Sequence, residues 1–258
     1  MRGEDLYRIH WADGWRTLVY LYSNPHDTAK IARVIEALQG RSTLRLLARL
    51  RRRSRGRALL ARQPSLRAAL ADRAWLTALP EGSLGRAYLE YCRGERLETA
   101  ITAYVDEGTT PERNARLAPE EAFIQDFLFH SHDLYHLVTG YKTDLLGEIS
   151  LLAFTAPQTW NSGVFAMAIL GFYSIRLPRL RGQRMMATAF ARALKARWLP
   201  EQDWVALLPQ PLDEVRRQLR LYPPPRYAPL YVGRGRSRRR RPGHHAVPAS
   251  TPAVEHRA

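Results

Sequence analysis

The feature of this sequence that most restricts its fold is a succession of helical segments separated by short breaks. Apolar residues recur at spacings of three and four along most of the chain, whereas the alternation typical of strands is scarce. The breaks contain proline, glycine or residues that cap helices, such as Asn24-Pro25, Gly40 and Pro80-Glu81-Gly82. This pattern predicts an all-α fold made of one compact multi-helix domain.

The predicted helices begin near residue 16 and continue to residue 221. They span residues 16–23, 29–38, 44–50, 66–79, 84–91, 120–139, 144–156, 163–175, 181–199 and 212–221. Pro157 is expected to interrupt the helix that begins at Asp144, because proline lacks the N–H that a helix interior needs. Residues 106–119 are polar and predict an exposed connection.

The domain organisation follows from composition. Residues 1–15 form a lead-in, residues 16–231 form the helical domain, and the Arg/Pro-rich residues 232–258 are expected to be a disordered tail. Cys92 is the sole cysteine, which excludes an internal disulfide and a cysteine-rich metal site and indicates a reducing compartment, the cytoplasm by default. No targeting segment is visible, and the longest apolar stretch, residues 163–175, is too short to span a bilayer.

The formal charge of +16 is concentrated in two regions. Residues 41–71 contain ten arginines and no acid, and the segment 232–258 contains seven arginines and one glutamate, which leaves the rest of the chain neutral. Neither region interleaves aromatic residues with its arginines, so nucleic acid is not expected as a partner. The run at residues 49–57 fits either a solvated helix or loop, or a surface attracted to anionic lipid headgroups.

Chemistry is concentrated around one helix hairpin. His132 and His136 are four residues apart and share a helix face, and Asp133 lies three residues before His136 on the same side. Gly140 is suited to end this helix and Asp144 to begin the next. Glu148 then lies about one turn inside the second helix and is expected to face the histidines.

Two imidazoles and carboxylates on facing helices are how helical bundles hold divalent metals. This mixed nitrogen and oxygen donor set suits zinc, and it suits ferrous iron equally well. The alternative is that His132 and His136 are ordinary, partly buried histidines. Asp133 and Glu148 would then only cap helices or contact solvent. A metal phosphohydrolase would need further ligands that are not convincingly placed, and a zinc protease would need Glu in place of Asp133.

Segment 132–148, HDLYHLVTGYKTDLLGE, resembles the signature of the coenzyme Q (ubiquinone) biosynthesis protein four family. The resemblance extends to SNPHDTAKIARVIEAL at residues 23–38, to LPEGSLGRAYLEY at 79–91 and to QPLDEVRRQLRLYPPP at 210–225. It covers most of residues 16–227. The arginine run at 49–57 and the tail after residue 232 are not part of the family pattern.

The resemblance implies an all-helical, metal-dependent ubiquinone biosynthesis protein with zinc held by His132, Asp133, His136 and Glu148. It implies a role in oxidative decarboxylation at carbon one of a polyprenyl hydroxybenzoate-type precursor, in organising the biosynthetic complex, or in both. The alternative is a non-catalytic lipid-binding scaffold with a structural metal. The expected ligand is a prenylated quinone precursor or another isoprenoid lipid, and the expected protein partners are other quinone biosynthesis proteins. The protein would contact the inner face of the membrane peripherally. A homodimer is an allowed assembly.

Overall fold

The computed structural model describes residues 7–23, 28–95, 116–174 and 180–230. Within these ranges the chain forms thirteen α-helices and one 3₁₀ helix, with no β-strand. The predicted all-α fold class is therefore confirmed. The expected disordered tail at 232–258 and nearly all of the predicted connection at 106–119 lie outside the described residues.

The helices are numbered here in chain order. They are α1 (Trp11–Ser23), α2 (Thr28–Leu38), α3 (Ser42–Arg52), α4 (Ser54–Arg62), α5 (Leu66–Ala71), α6 (Arg73–Ala78), α7 (Leu84–Glu95), α8 (Pro119–Thr139), α9 (Leu145–Thr159), α10 (Ser162–Ser174), α11 (Arg181–Lys195), α12 (Trp204–Leu207) and α13 (Leu212–Gln218). The 3₁₀ helix, Leu199–Glu201, lies between α11 and α12.

The main hydrophobic core holds α8 and α9 in place. Phe127 of α8, Phe154 of α9 and Trp204 of α12 are among its largest fully buried side chains. Burial of a side chain of this size contributes about 1.5–3 kcal/mol. A second, smaller core joins α1, α2 and α10 through Leu21, Val34, Leu38 and Met167.

The predicted interruption at Pro157 is wrong, because α9 continues to Thr159. Pro157 lies inside the last turn and costs α9 one hydrogen bond, yet the helix continues for two residues beyond it. Trp160 then ends α9 in a left-handed conformation, with φ 52°, and its N–H donates to the carbonyl of Ala156.

Two predicted helices end earlier than expected. The helix predicted at 181–199 ends at Lys195, and the one predicted at 212–221 ends at Gln218. Beyond Lys195 the backbone bonds to other parts of the fold instead. Arg197 N–H donates to the carbonyl of Leu219, and Leu199 N–H donates to the side chain of Gln158.

The arginine run does not form one continuous helix. Arg53 is extended and separates α3 from α4. Its guanidinium binds both carboxylate oxygens of Glu201 at 2.5 and 2.9 Å, and Arg51 binds Glu120. Part of the run therefore pairs with acids from distant helices, although partly exposed pairs of this kind stabilise a fold by at most about 1 kcal/mol each.

Across the described ranges, no helix combines the length and the apolar character needed to cross a bilayer.

Candidate metal centre

The α8–α9 hairpin positions the predicted ligands. Gly140 ends α8 in a left-handed conformation, with φ 79°, and its N–H donates to the carbonyl of His136. Asp144 begins α9, and its carboxylate accepts hydrogen bonds from Leu146 N–H and Gly147 N–H. Glu148 consequently lies in the first turn of α9. The predicted capping roles of Gly140 and Asp144 are confirmed.

Three of the four predicted ligands converge. The Nε2 atoms of His132 and His136 are 3.2 Å apart. Glu148 places one carboxylate oxygen 3.4 Å from Nε2 of His136 and the other 3.8 Å from Nε2 of His132. A tetrahedral zinc ion with bonds of about 2.0–2.1 Å separates its donor atoms by about 3.3 Å. The three side chains therefore fit a divalent metal with little rearrangement.

The orientation of His136 is fixed by its surroundings. Its Nδ1 lies 2.9 Å from the backbone carbonyl of Tyr141, which can only accept, so Nδ1 carries the proton and the Nε2 lone pair faces the other donors. Tyr91 of α7 stacks on the imidazole with ring centroids 6.0 Å apart. Such supporting contacts set the tautomer and direction of a metal ligand.

The centre is buried on one side and open on the other. The His136 side chain is 1% exposed, whereas those of His132 and Glu148 are 49% and 39% exposed. A metal held by these three residues would thus have a face from which water or a substrate could approach.

The charges of the three groups are coupled. Desolvation and the neighbouring His136 lower the pKa of His132. Burial disfavours protonation of His136, but the charge and hydrogen bond of Glu148 outweigh it and raise the pKa of His136. Burial opposes ionisation of Glu148, yet His136 and His132 together lower its pKa. The carboxylate is thus held ionised beside the imidazoles, as metal binding requires.

Asp133 is not part of this convergence. It lies outside the group whose ligand atoms are all within 4.8 Å of one another in the described ranges. The pKa of Tyr88 on α7 is raised, first by burial, then by Cys92 and also by the negative charge of Asp133. Asp133 therefore influences both α7 and the histidines electrostatically.

A segment near the end of the described chain also supports the hairpin. The Tyr227 hydroxyl donates to Asp144 at 2.8 Å and accepts from Lys142 N–H at 2.7 Å. Leu230 N–H donates to the same carboxylate at 2.7 Å, and Leu230 accepts from Leu145 N–H. Sequence reasoning assigned Asp144 only a capping role and missed Tyr227, because contacts 83 residues apart leave no local pattern.

Sequence comparison decides the family. The sequence model described as coenzyme Q (ubiquinone) biosynthesis protein Coq4 matches residues 15–225. The chain belongs to the Coq4 family. Among its Coq4-family relatives, the mitochondrial ubiquinone biosynthesis protein COQ4 homolog of Danio rerio is 28% identical over 208 residues, which cover 78% of this chain and 72% of the relative. The mitochondrial ubiquinone biosynthesis protein coq4 of Schizosaccharomyces japonicus is 30% identical and covers 67% of this chain and 70% of its own length.

A solved structure shares the Coq4-family fold. The crystal structure of a Nostoc punctiforme protein described as a ubiquinone biosynthesis protein superimposes with a TM-score of 0.58 at 20% sequence identity. The match covers 83% of this chain and 100% of the Nostoc chain. The all-helical architecture is therefore shared across nearly the whole described domain.

Proposed function

We propose that this Coq4-family ubiquinone biosynthesis protein is metal-dependent and acts in oxidative decarboxylation at carbon one of a polyprenyl hydroxybenzoate-type precursor. The observation that supports the proposal is the convergence of His132, His136 and Glu148 with one side open. A structural metal is normally closed off by its protein ligands, whereas a catalytic metal keeps an accessible position. The exposure of His132 and Glu148 favours the catalytic role over the scaffold role.

Each residue has a distinct part in this proposal. His136, fixed by Tyr141 and Tyr91, supplies a rigid nitrogen donor, while His132 and Glu148 complete the set from the open side. A bound zinc or ferrous ion would supply Lewis acidity toward a carboxylate or phenolate. Asp133 is either a fourth ligand after a side-chain rotation or a nearby charge that tunes the imidazoles.

The proposed partners follow from the family. A prenylated quinone precursor or another isoprenoid lipid would be the substrate, and other quinone biosynthesis proteins would be neighbours in a complex. We place the protein in the cytoplasm, in peripheral contact with the inner face of the membrane, and we include a homodimer among its assemblies. The proposed substrate and protein partners rest on the family role in ubiquinone biosynthesis, whereas the proposed location rests on the sequence, in which Cys92 is the sole cysteine.

A complementation experiment tests the catalytic role. Cells that lack this protein, and lack a redundant enzyme for the step, should accumulate a prenylated precursor that keeps its carboxyl group and should make less mature quinone. The wild-type gene and a His10→Ala control, which changes an exposed histidine far along the chain from the hairpin, should restore the quinone. His136→Ala should not. Lipids are identified by mass spectrometry.

Two outcomes would count against the proposal in different ways. If a stable, folded His136→Ala protein restores quinone synthesis, the metal centre is not catalytic and the scaffold role is favoured. If the deletion strain has normal quinone and no accumulated precursor, the proposed step itself is wrong.

A further inference from the structure

A half-open surface cavity of about 320 Å³ lies at the far end of α9 from the metal centre. It is lined by Arg45, Leu46, Arg49, Thr159 and Trp160. Glu148 lies in the first turn of α9 and Thr159 is its last residue, so the cavity and the metal centre are about 16 Å apart at about 1.5 Å per residue. A cavity of this volume is at the lower end of the range that holds small organic ligands.

Two guanidiniums at this cavity, those of Arg45 and Arg49, form no direct ion pair with a described carboxylate. Arg45 and Arg49 are four residues apart on α3, and neither forms an ion pair in the described part of the chain. Nearby arginines differ, since Arg51 and Arg53 bind carboxylates of other helices. The cavity therefore carries two positive charges that no direct ion pair balances in the described ranges.

The same two arginines are held in position by neutral groups. Arg49 lies over the ring of Trp198, with its guanidinium carbon 4.1 Å from the ring centroid. Arg45 donates to Ser42 Oγ at 3.0 Å. Both arginines are exposed, and burial of part of the Arg49 side chain together with the charge of Arg53 lowers the pKa of Arg49, against the opposing effect of Glu201. An anion bound at the cavity could accept charge-assisted hydrogen bonds from both guanidiniums.

Trp160 adds an apolar face to the cavity. It occupies the left-handed position that ends α9, where glycine or asparagine is the usual choice, and its φ is 52°. It nevertheless remains 58% exposed, with Phe165 supporting the ring at a centroid distance of 5.7 Å. Non-glycine residues held in the left-handed region cluster at functional sites, including sites that clamp ligands.

We propose that this cavity binds a phosphate monoester group, with Arg45 and Arg49 as its charge partners and Trp160 against the organic part of the ligand. A phosphate monoester carries about −1.5 to −2 charges at neutral pH, which matches two guanidiniums. Arginine also matches phosphate geometry through paired N–H donors. The phosphate can belong to a soluble metabolite or to a lipid headgroup, and the site chemistry is the same for both.

The test uses the full-length protein and three probes. Isothermal titration calorimetry measures binding of inorganic phosphate and phenyl phosphate, and co-flotation measures binding to phosphatidylcholine vesicles with and without phosphatidic acid. Arg45→Gln with Arg49→Gln should weaken binding by about tenfold for each arginine, the loss expected for a charge-assisted hydrogen bond. The matched control, Arg55→Gln with Arg184→Gln, removes the same charge from exposed helical positions outside the cavity and should change binding little.

The probes separate the two sources of phosphate. Binding of phenyl phosphate that exceeds binding of inorganic phosphate and depends on Trp160 indicates a soluble ligand. Binding that occurs only with vesicles containing phosphatidic acid indicates a lipid headgroup. The proposal is overturned if none of the probes binds, or if the cavity variant and the control variant lose the same affinity.

Two further variants keep the proposal testable. Arg49→Gln also removes the contact with Trp198, so a loss of folding would complicate the double variant. Arg45→Gln alone gives up only the hydrogen bond to Ser42 and should still weaken binding about tenfold. Phosphate binding is also measured in His136→Ala, which removes the metal centre as a second place where phosphate could bind, and the binding lost in Arg45→Gln should persist in this variant.

Discussion

The Tyr227 hydroxyl offers a test of how the metal hairpin is held together. It joins the segment near residue 230 to both ends of the α8–α9 turn, by donating to Asp144 and accepting from Lys142 N–H. Tyr227→Phe removes these two hydrogen bonds and keeps the ring. Asp144 is 2% exposed, so it would lose a hydrogen bond at a site where water cannot easily replace it.

The magnitude can be worked from these contacts. A hydrogen bond to a charged group contributes about 1.5–3 kcal/mol, whereas the bond to Lys142 N–H adds little because that end is exposed and water can take its place. Asp144 keeps its bonds from Leu146, Gly147 and Leu230. We therefore expect the free energy of unfolding to fall by about 2 kcal/mol. For a domain of this size that lowers the melting temperature by roughly 4–8 °C.

Thermal and denaturant unfolding followed by circular dichroism measure this change. Tyr222→Phe is the matched control, because its hydroxyl has no hydrogen-bond partner in the described ranges and its ring contact with Arg217 does not need the hydroxyl. Metal affinity should fall in Tyr227→Phe by less than in a ligand variant, since all the donors remain. Equal stability of Tyr227→Phe and wild type would show that this segment does not fasten the hairpin.

Three further predictions concern the site and the core. Gly147→Ala should lower the free energy of unfolding by at least about 2 kcal/mol, because the new methyl would lie 1.9 Å from the carbonyl oxygen of Lys142. A denaturant titration measures this change, and an unchanged midpoint would contradict the observed packing. Gln158→Leu should lower the free energy of unfolding by about 3 kcal/mol in the same assay, because the buried carbonyl of Ala193 and the buried N–H of Leu199 lose their partners. A loss below about 1 kcal/mol would show that water replaces the amide. Asp133→Asn should reduce metal affinity strongly if Asp133 is a ligand and weakly if it acts only through its charge, which competition with a chelator of known affinity would distinguish.

Local chemistry made much of the hairpin predictable. A histidine pair at a spacing of four residues must share a helix face, and a glycine followed by an aspartate four residues later marks the end of one helix and the start of the next. These rules placed Glu148 opposite His132 and His136 without knowledge of the rest of the fold. Asp133 is one residue, or about 100° of helix rotation, past His132, which explains why it falls outside the converging group.

Tertiary contacts made the rest unpredictable. The pairing of Arg53 with Glu201 depends on helices 148 residues apart in sequence, so the run could be read only as solvated or lipid-facing. Pro157 was expected to break α9, but the helix continues past it, and tertiary hydrogen bonds that join Gln158 to Ala193, Trp198 and Leu199 hold the residue that follows it. The support of Asp144 by Tyr227 depends in the same way on a chain segment that returns to the turn.

Metal analysis of the purified protein tests the central claim most directly. After growth with both zinc and iron available, inductively coupled plasma mass spectrometry should find about one divalent ion per folded wild-type chain and a similar amount in His10→Ala. His136→Ala and Glu148→Ala should retain far less, because water cannot replace either ligand at equal affinity. A wild-type protein without metal, or the same metal content in His136→Ala as in wild type, would contradict the assignment of this hairpin as a metal centre.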